Sequence, residues 1–159
     1  MFMDTTFMQE AIKQALYARD RNEVPIGSVI VYQGEVIATG YNIRETIQST
    51  LSHAELIAIQ EANDRMGSWR LEDCTLYVTL EPCPMCAGAI VQSRIKRVVF
   101  GAFDPKAGCA GSLMNLLNDS RFNHQVELES GVMEKECSKL LTDFFRELRM
   151  KKRDTRNEG

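Results

Sequence analysis

The sequence predicts an α/β fold, a three-layer α/β/α sandwich built on a mixed sheet of about five strands. Three observations carry this reading. Helix-like and strand-like periodicities alternate along most of the chain, a two-residue break joins the first two strand-like runs, and 44% hydrophobic residues in 159 suffice for one sizeable core. No internal repeat, low-complexity tract or interdomain linker interrupts the pattern, so residues 1–159 are expected to form a single domain ending in a basic helix and tail from about 134.

The elements follow in order. Phe7, Met8, Ala11, Ile12, Ala15 and Leu16 recur at three- and four-residue steps and predict a first helix over 4–20, closed before Pro25. Residues 24–32 and 35–41 are β-branched-rich runs split by Gln33-Gly34, the separation of a tight antiparallel hairpin. Ser52-x-x-Glu55 matches a capping box and predicts a helix over 52–66, stopped by Gly67. Residues 74–80 alternate as a strand, 84–93 form a helix rich in small residues, and 97–101 form another strand. A Gly-containing loop over 104–111, an apolar turn near 113–117 and a weak strand at 125–128 precede a final helix from about Glu134. That helix carries Cys137, Leu140, Leu141, Phe144, Phe145 and Leu148 at helical spacing.

Composition narrows the function. No stretch approaches the roughly 18 apolar residues of a membrane span, and residues 1–10 carry acids in place of a basic flank and apolar run. A soluble, unexported, cytoplasmic protein is expected, with no membrane partner. Five cysteines, an odd number at uneven spacing, argue for reduced thiols and against a disulfide framework. Net charge is −3, but six basic residues against three acidic ones from Arg146 onward leave +3 there and −6 upstream. Such an end is either a solvated helix terminus or a clamp on phosphates.

The chemistry concentrates in His53-Ala54-Glu55 and Pro82-Cys83-Pro84-Met85-Cys86. Two cysteines three apart at a helix start share a face, and the positive helix end favours thiolates. Pro84 suits the first helical turn. With His53 they offer three ligands, and zinc prefers four, so one position is left for water, as in a catalytic site. Water bound there loses a proton near neutral pH. Glu55, kept off the metal, can take that proton, pass it to a ring nitrogen and later help protonate a departing amine. Residues two apart on a regular helix differ by about 200°. His53 and Glu55 therefore share a pocket only at an irregular helix start. Together the residues match the H-x-E…P-C-x-x-C pattern of zinc nucleobase deaminases.

The chain closely resembles the bacterial tRNA adenosine deaminases, which convert adenosine to inosine at the anticodon wobble position. The likeness runs from Glu23-Val24-Pro25-Ile26-Gly27 and Asn42-Ile43-Arg44-Glu45-Thr46 through the metal motifs to Gly101-Ala102-Phe103-Asp104-Pro105-Lys106, Phe122-Asn123-His124 and Phe144-Phe145-Arg146. The resemblance implies a cytidine deaminase-like fold, one zinc ion per chain and a homodimer whose pockets are completed across the interface. It also implies a tRNA anticodon stem-loop whose adenosine is splayed into the pocket. It carries over Asn42 near the base and ribose, and Glu23, Asp104, Lys106, Asn123, Phe145 and Arg149 around the loop.

Two other readings use the same residues. One is a free nucleobase or nucleoside deaminase of guanine or cytidine type with the same zinc and Glu55. The other is a non-enzymatic RNA-binding module with structural zinc and Cys74, Cys109 or Cys137 as fourth ligand. Cys74 and Cys137 are otherwise expected in the core.

Overall fold

The structure, a computed structural model, describes residues 2–158. The elements are α1 (Phe2–Asp20), β1 (Gly27–Tyr32), β2 (Glu35–Tyr41), α2 (Arg44–Ile47), α3 (Ala54–Met66), β3 (Cys74–Leu80), α4 (Pro84–Gln92), β4 (Arg97–Ala102), a 3-10 turn (Leu116–Asn118), β5 (Glu127–Ser130) and α5 (Glu134–Glu158). The strands form one mixed sheet in the order β2-β1-β3-β4-β5. β1 runs antiparallel to β2 and β3, whereas β3, β4 and β5 are parallel. This is the fold class the periodicities predict.

Side-chain alternation along the strands sorts the core into two layers. Val29, Val31, Tyr77 and Val99 face Phe7, Met8 and Ala11 of α1 and Cys137 of α5. Ile30, Leu76, Val78, Val98 and Phe100 face the opposite way, onto Ala58, Ile59 and Ala62 of α3 and Ala87, Ile90 and Val91 of α4. Gln33 and Gly34 both take positive φ, 51° and 79°, as a tight hairpin with the twist of its strands requires. Gly40 of β2 sets the depth of α3. A Cβ there would strike the backbone of Ala54, so only glycine lets the first turn of α3 rest on the sheet. Ser28 Oγ fixes the same turn by donating to the Ala54 carbonyl at 2.9 Å.

Several boundaries differ from the sequence expectation. β1 starts at Gly27 and not at 24, because Val24 and Ile26 close a tight turn, Ile26 N–H to Val24 O at 2.9 Å, around Pro25. β5 lies two residues later than expected, since Gln125 is held in the preceding loop by bonds from its Nε2 to the carbonyls of Asp119 and Phe122. α5 continues through the stretch after Lys151 expected as tail. Cys137 is buried, but everything from Phe145 to Asn157 is exposed, so the helix leaves the sheet behind. Among the described residues no helix is long and apolar enough to cross a membrane.

Candidate active site

A cavity of about 600 Å³ opens where loops on both sides of the sheet meet the starts of α3 and α4. Its floor is set by how those two helices begin. His53 is the N-cap of α3 in an extended conformation, φ −80° and ψ 152°, and Glu55 is the second helical residue. The extended backbone at His53 removes the 200° conflict, and both side chains line the cavity. The expected Ser52-x-x-Glu55 capping box is not formed. His53 and not Ser52 is the N-cap, and the Ser52 N–H donates to Ser49 O at 3.2 Å. Glu55 turns inward and is 4% exposed.

α4 starts in the same way. Cys83 is an extended N-cap, Pro84 opens the first turn, and Cys86 follows one turn on, so both sulfurs fall on one face. His53 Nδ1 lies 3.6 Å from Cys83 Sγ and 3.5 Å from Cys86 Sγ. Ligands at zinc–sulfur and zinc–nitrogen distances around a tetrahedral ion stand about 3.5 Å apart, so the spacing fits that metal. Among the described residues this trio is the group of His, Cys, Asp and Glu that could hold a metal ion, its donor atoms all within 4.8 Å of one another. Cys74, Cys109 and Cys137 are buried in the hydrophobic core and stand outside the trio.

The electrostatics are those of a shared site. The Cys86 thiol beside it, helped by His53, holds the Cys83 thiol down at about 4, against its burial. The Cys83 thiolate in turn raises both Cys86 and His53. Burial pushes Glu55 up to about 7, with only its own backbone N–H, His53 and the Cys86 thiol acting against it. A carboxyl with that value changes protonation near neutrality, which suits it to proton transfer.

Two further glutamates hold the loops around this floor. Glu23 is buried behind α2, where its carboxylate accepts from the N–H groups of Glu45 and Thr46, at 3.1 and 2.6 Å, and from the Thr46 hydroxyl. It is not part of the lining. It fixes the segment after Asn42, whose Oδ1 accepts from the Arg44 N–H at 3.1 Å and whose Nδ2 donates to Val24 O. Glu81 lines the opposite wall and accepts from the N–H groups of Asp104, Ala110 and Ser112 and from the Ser112 hydroxyl. For both glutamates burial raises the pKa, but these donors outweigh it and leave the value below the ordinary carboxylate range.

Of the substrate residues expected from sequence, Asn42, Asp104, Lys106 and Phe145 line the cavity with Glu55, and Phe145 is 42% exposed. Asp104 Oδ1 accepts from the N–H groups of Lys106 and Ala107, the turn that an Asp-Pro pair favours. Asn123 and Arg149 are exposed and lie outside the lining of this chain's cavity. Arg44, Glu81 and Phe103 line it without having been singled out. Arg44 and Phe103 stand in segments that carry the family likeness and Glu81 directly precedes the Pro82–Cys86 motif, and that was the available signal.

Fold and site together define a deaminase, and the comparisons agree: the family model described as MafB19-like deaminase matches residues 2–149, and the chain belongs to that family. Within that class it belongs with the tRNA-specific adenosine deaminases. It is 60% identical to the one from Bacillus subtilis (strain 168) over 156 residues, 98% of this chain and 97% of the relative. It is 47% identical to one from Streptococcus pyogenes serotype M18, over 95% of each chain. A solved structure from a study of A-to-I editing by tRNA:A34 deaminases superposes with a TM-score of 0.83 at 41% identity, over 86% of this chain and 99% of that one. A Bacillus subtilis guanine deaminase matches less well, with a TM-score of 0.61 at 39% identity over 67% of this chain and 69% of that one.

Proposed function

We propose that residues 1–159 act as one catalytic domain that hydrolyses adenosine to inosine at the wobble position of a tRNA anticodon. One observation carries the reading: His53, Cys83 and Cys86 converge at zinc-ligand spacing beside a buried Glu55, on the floor of a cavity large enough for a base. Near-full-length identity to the tRNA-specific adenosine deaminases supports the substrate over free guanine or a free nucleoside.

In this reading His53, Cys83 and Cys86 hold one zinc ion per chain, which when bound supplies the acidity that makes water nucleophilic at neutral pH. Glu55 accepts the proton that water releases as its oxygen bonds to C6. It delivers that proton to a ring nitrogen of the adenine, then takes the second proton from the oxygen now bonded to C6 and passes it to the amine as the C6–N bond breaks. Water and adenosine give inosine and ammonia. Asn42 holds the base and ribose, and Asp104, Lys106 and Phe145 border the flanking nucleotides. Glu23 serves the substrate indirectly, through the Asn42–Thr46 segment that it fixes. Asn123 and Arg149 meet the RNA beyond the cavity, and Phe145 beside the basic end of α5 suits unpaired, stackable bases.

Exposed Trp69, Leu113, Met114 and Phe122 offer apolar surface of the kind a homodimer buries, and we place the enzyme in the cytoplasm with its tRNA. The test is to incubate the zinc-loaded protein with an anticodon stem-loop, free adenosine, free guanine and cytidine. Inosine is expected at the wobble position of the stem-loop, with at most trace turnover of the others. Robust turnover of guanine or cytidine overturns the substrate assignment.

A further inference from the structure

We propose that Glu81 is a positioning residue. It locks the 104–112 loop, which carries Asp104 and Lys106 along the cavity rim, to the turn that presents Cys83, so that the rim and the metal-facing wall move as one body. The inference rests on the proposed function for its kinetic consequence and on geometry alone for the coupling.

Glu81 ends 2% exposed between β3 and α4, two residues before Cys83. Its Oε1 accepts from the Asp104 N–H at 3.0 Å and from the Ser112 hydroxyl; its Oε2 accepts from the N–H groups of Ala110 and Ser112 at 3.0 and 2.9 Å. Each oxygen therefore has two protein donors, and neither has capacity left for a substrate group. That assigns Glu81 to holding the wall and not to the chemistry, although it lines the cavity.

The bonds reach both ends of the loop. Asp104 opens it and Ser112 closes it, while Gly108 at its middle packs so tightly on the carboxylate that a Cβ there would strike Glu81. The adjacent Pro82 carbonyl accepts from the Cys109 N–H at 2.8 Å, so two consecutive residues of the Cys83 turn are bonded to the loop. Within the loop, Gly108 N–H donates to Asp104 O at 2.8 Å and Asp104 caps its own turn. The loop is thus a formed unit, pinned to the turn that carries a metal ligand. Losing charge-assisted bonds at such a pin frees the unit without unmaking it.

Glu81→Gln tests this. The amide keeps one acceptor oxygen and turns N–H groups toward N–H donors. Amide hydrogen exchange across 104–112 is expected to accelerate about tenfold while the sheet stays protected, with one zinc still bound per chain. KM for the anticodon stem-loop rises about tenfold, and kcat per bound zinc falls less than about threefold. A general folding defect would do the reverse, lowering kcat per chain and leaving KM alone.

Gly108→Ala, which displaces the same carboxylate, gives the same pattern and adds nothing to Glu81→Gln in the double variant. Ser112→Ala, which removes one donor without adding bulk, gives a smaller shift of the same kind and keeps the test open where Glu81→Gln does not fold. Unchanged exchange in 104–112, zinc loss with unaltered KM, or additivity of the two variants overturns the proposal. If the unaltered protein fails to deaminate the stem-loop, the proposed function falls, while the exchange and zinc measurements still decide the coupling.

Discussion

The first turn of α3 and the turn after β3 each bury a glutamate against the same cavity, and the two behave in opposite ways. Glu55 meets few donors, so the cost of desolvating its charge dominates and lifts it to about 7. Glu81 is as little exposed to solvent, but four donors converge on it and hold it below the ordinary range. Low exposure alone therefore does not set the direction. The number of N–H and O–H groups aimed at the carboxylate separates a carboxyl that titrates near neutrality from an anchored carboxylate, and the backbone sets that number: a helix start at Glu55, a returning loop at Glu81.

The comparison breaks most visibly at Glu55. Glu55→Gln keeps the shape and abolishes the carrier, so kcat should fall by on the order of 10²–10⁴-fold while one zinc per chain is retained. Turnover above about a tenth of the unaltered enzyme, or loss of the metal, would sink the carrier role. Cys86→Ala is the contrasting loss: zinc content and turnover should vanish together, and neither should return when the stem-loop is raised to saturation, because a ligand and not a contact has gone.

Glu23 sharpens the comparison from the other side, since it is a second anchor with three donors from Glu45 and Thr46. Its pKa lies below the ordinary 4.5, so its contribution to stability is fully present above that value and is lost as pH falls through the folded pKa. Glu23→Gln should therefore cost about 2 kcal/mol in urea unfolding at pH 7, and the gap to the unaltered protein should narrow on acidification below pH 4.5. A gap that widens in acid would contradict the anchor reading.

What was legible from sequence follows the same division. His53, Glu55, Cys83 and Cys86 could be read because each pair lies within three residues and the geometry of a helix start does the rest. The anchoring roles could not, because the donors of Glu81 stand 23 to 31 residues downstream and those of Glu23 stand 22 and 23 away. Glu81 was not singled out, and Glu23 was expected around the loop through resemblance alone. The capping box failed as a local pattern overridden by tertiary structure: Gly40 draws the helix start onto the sheet, His53 takes the N-cap, and Glu55 is left to face the cavity. α2 is too short for any periodicity to show it, and Arg44 went unread with it. The central strands β1, β3 and β4, by contrast, were legible because their apolar residues supply both core layers.

Asp4 supplies the remote case. Its carboxylate is bidentate to Arg97, at 2.8 Å on both oxygens, and accepts from the Tyr77 hydroxyl at 2.7 Å. Arg97 above all holds it well below the carboxylate range, on the face of the sheet under α1 and away from the cavity lining. Asp4→Asn should lower stability by about 1–3 kcal/mol, like the cavity anchors, because a charged partner is left half-satisfied. KM and kcat per bound zinc should not move. If they do, stability and positioning are not separable here, and the kinetic contrast drawn for Glu81 loses its control.

The smallest effect belongs to the exposed end of α5. Arg149 lies outside the cavity lining on a helix whose last turns touch nothing in this chain's core, so the part proposed for it in RNA binding is that of a charge held near phosphates. Arg149→Gln should weaken stem-loop binding by a few-fold at most, equally for every loop sequence, and should lower the slope of log affinity against log salt by about 1. A base contact would behave differently: the loss would depend on which nucleotide stood opposite and the salt slope would stay as it was. Titrating stem-loops of altered sequence at several salt concentrations separates the two, and a sequence-dependent loss would move Arg149 from the electrostatic rim into the recognition of the loop.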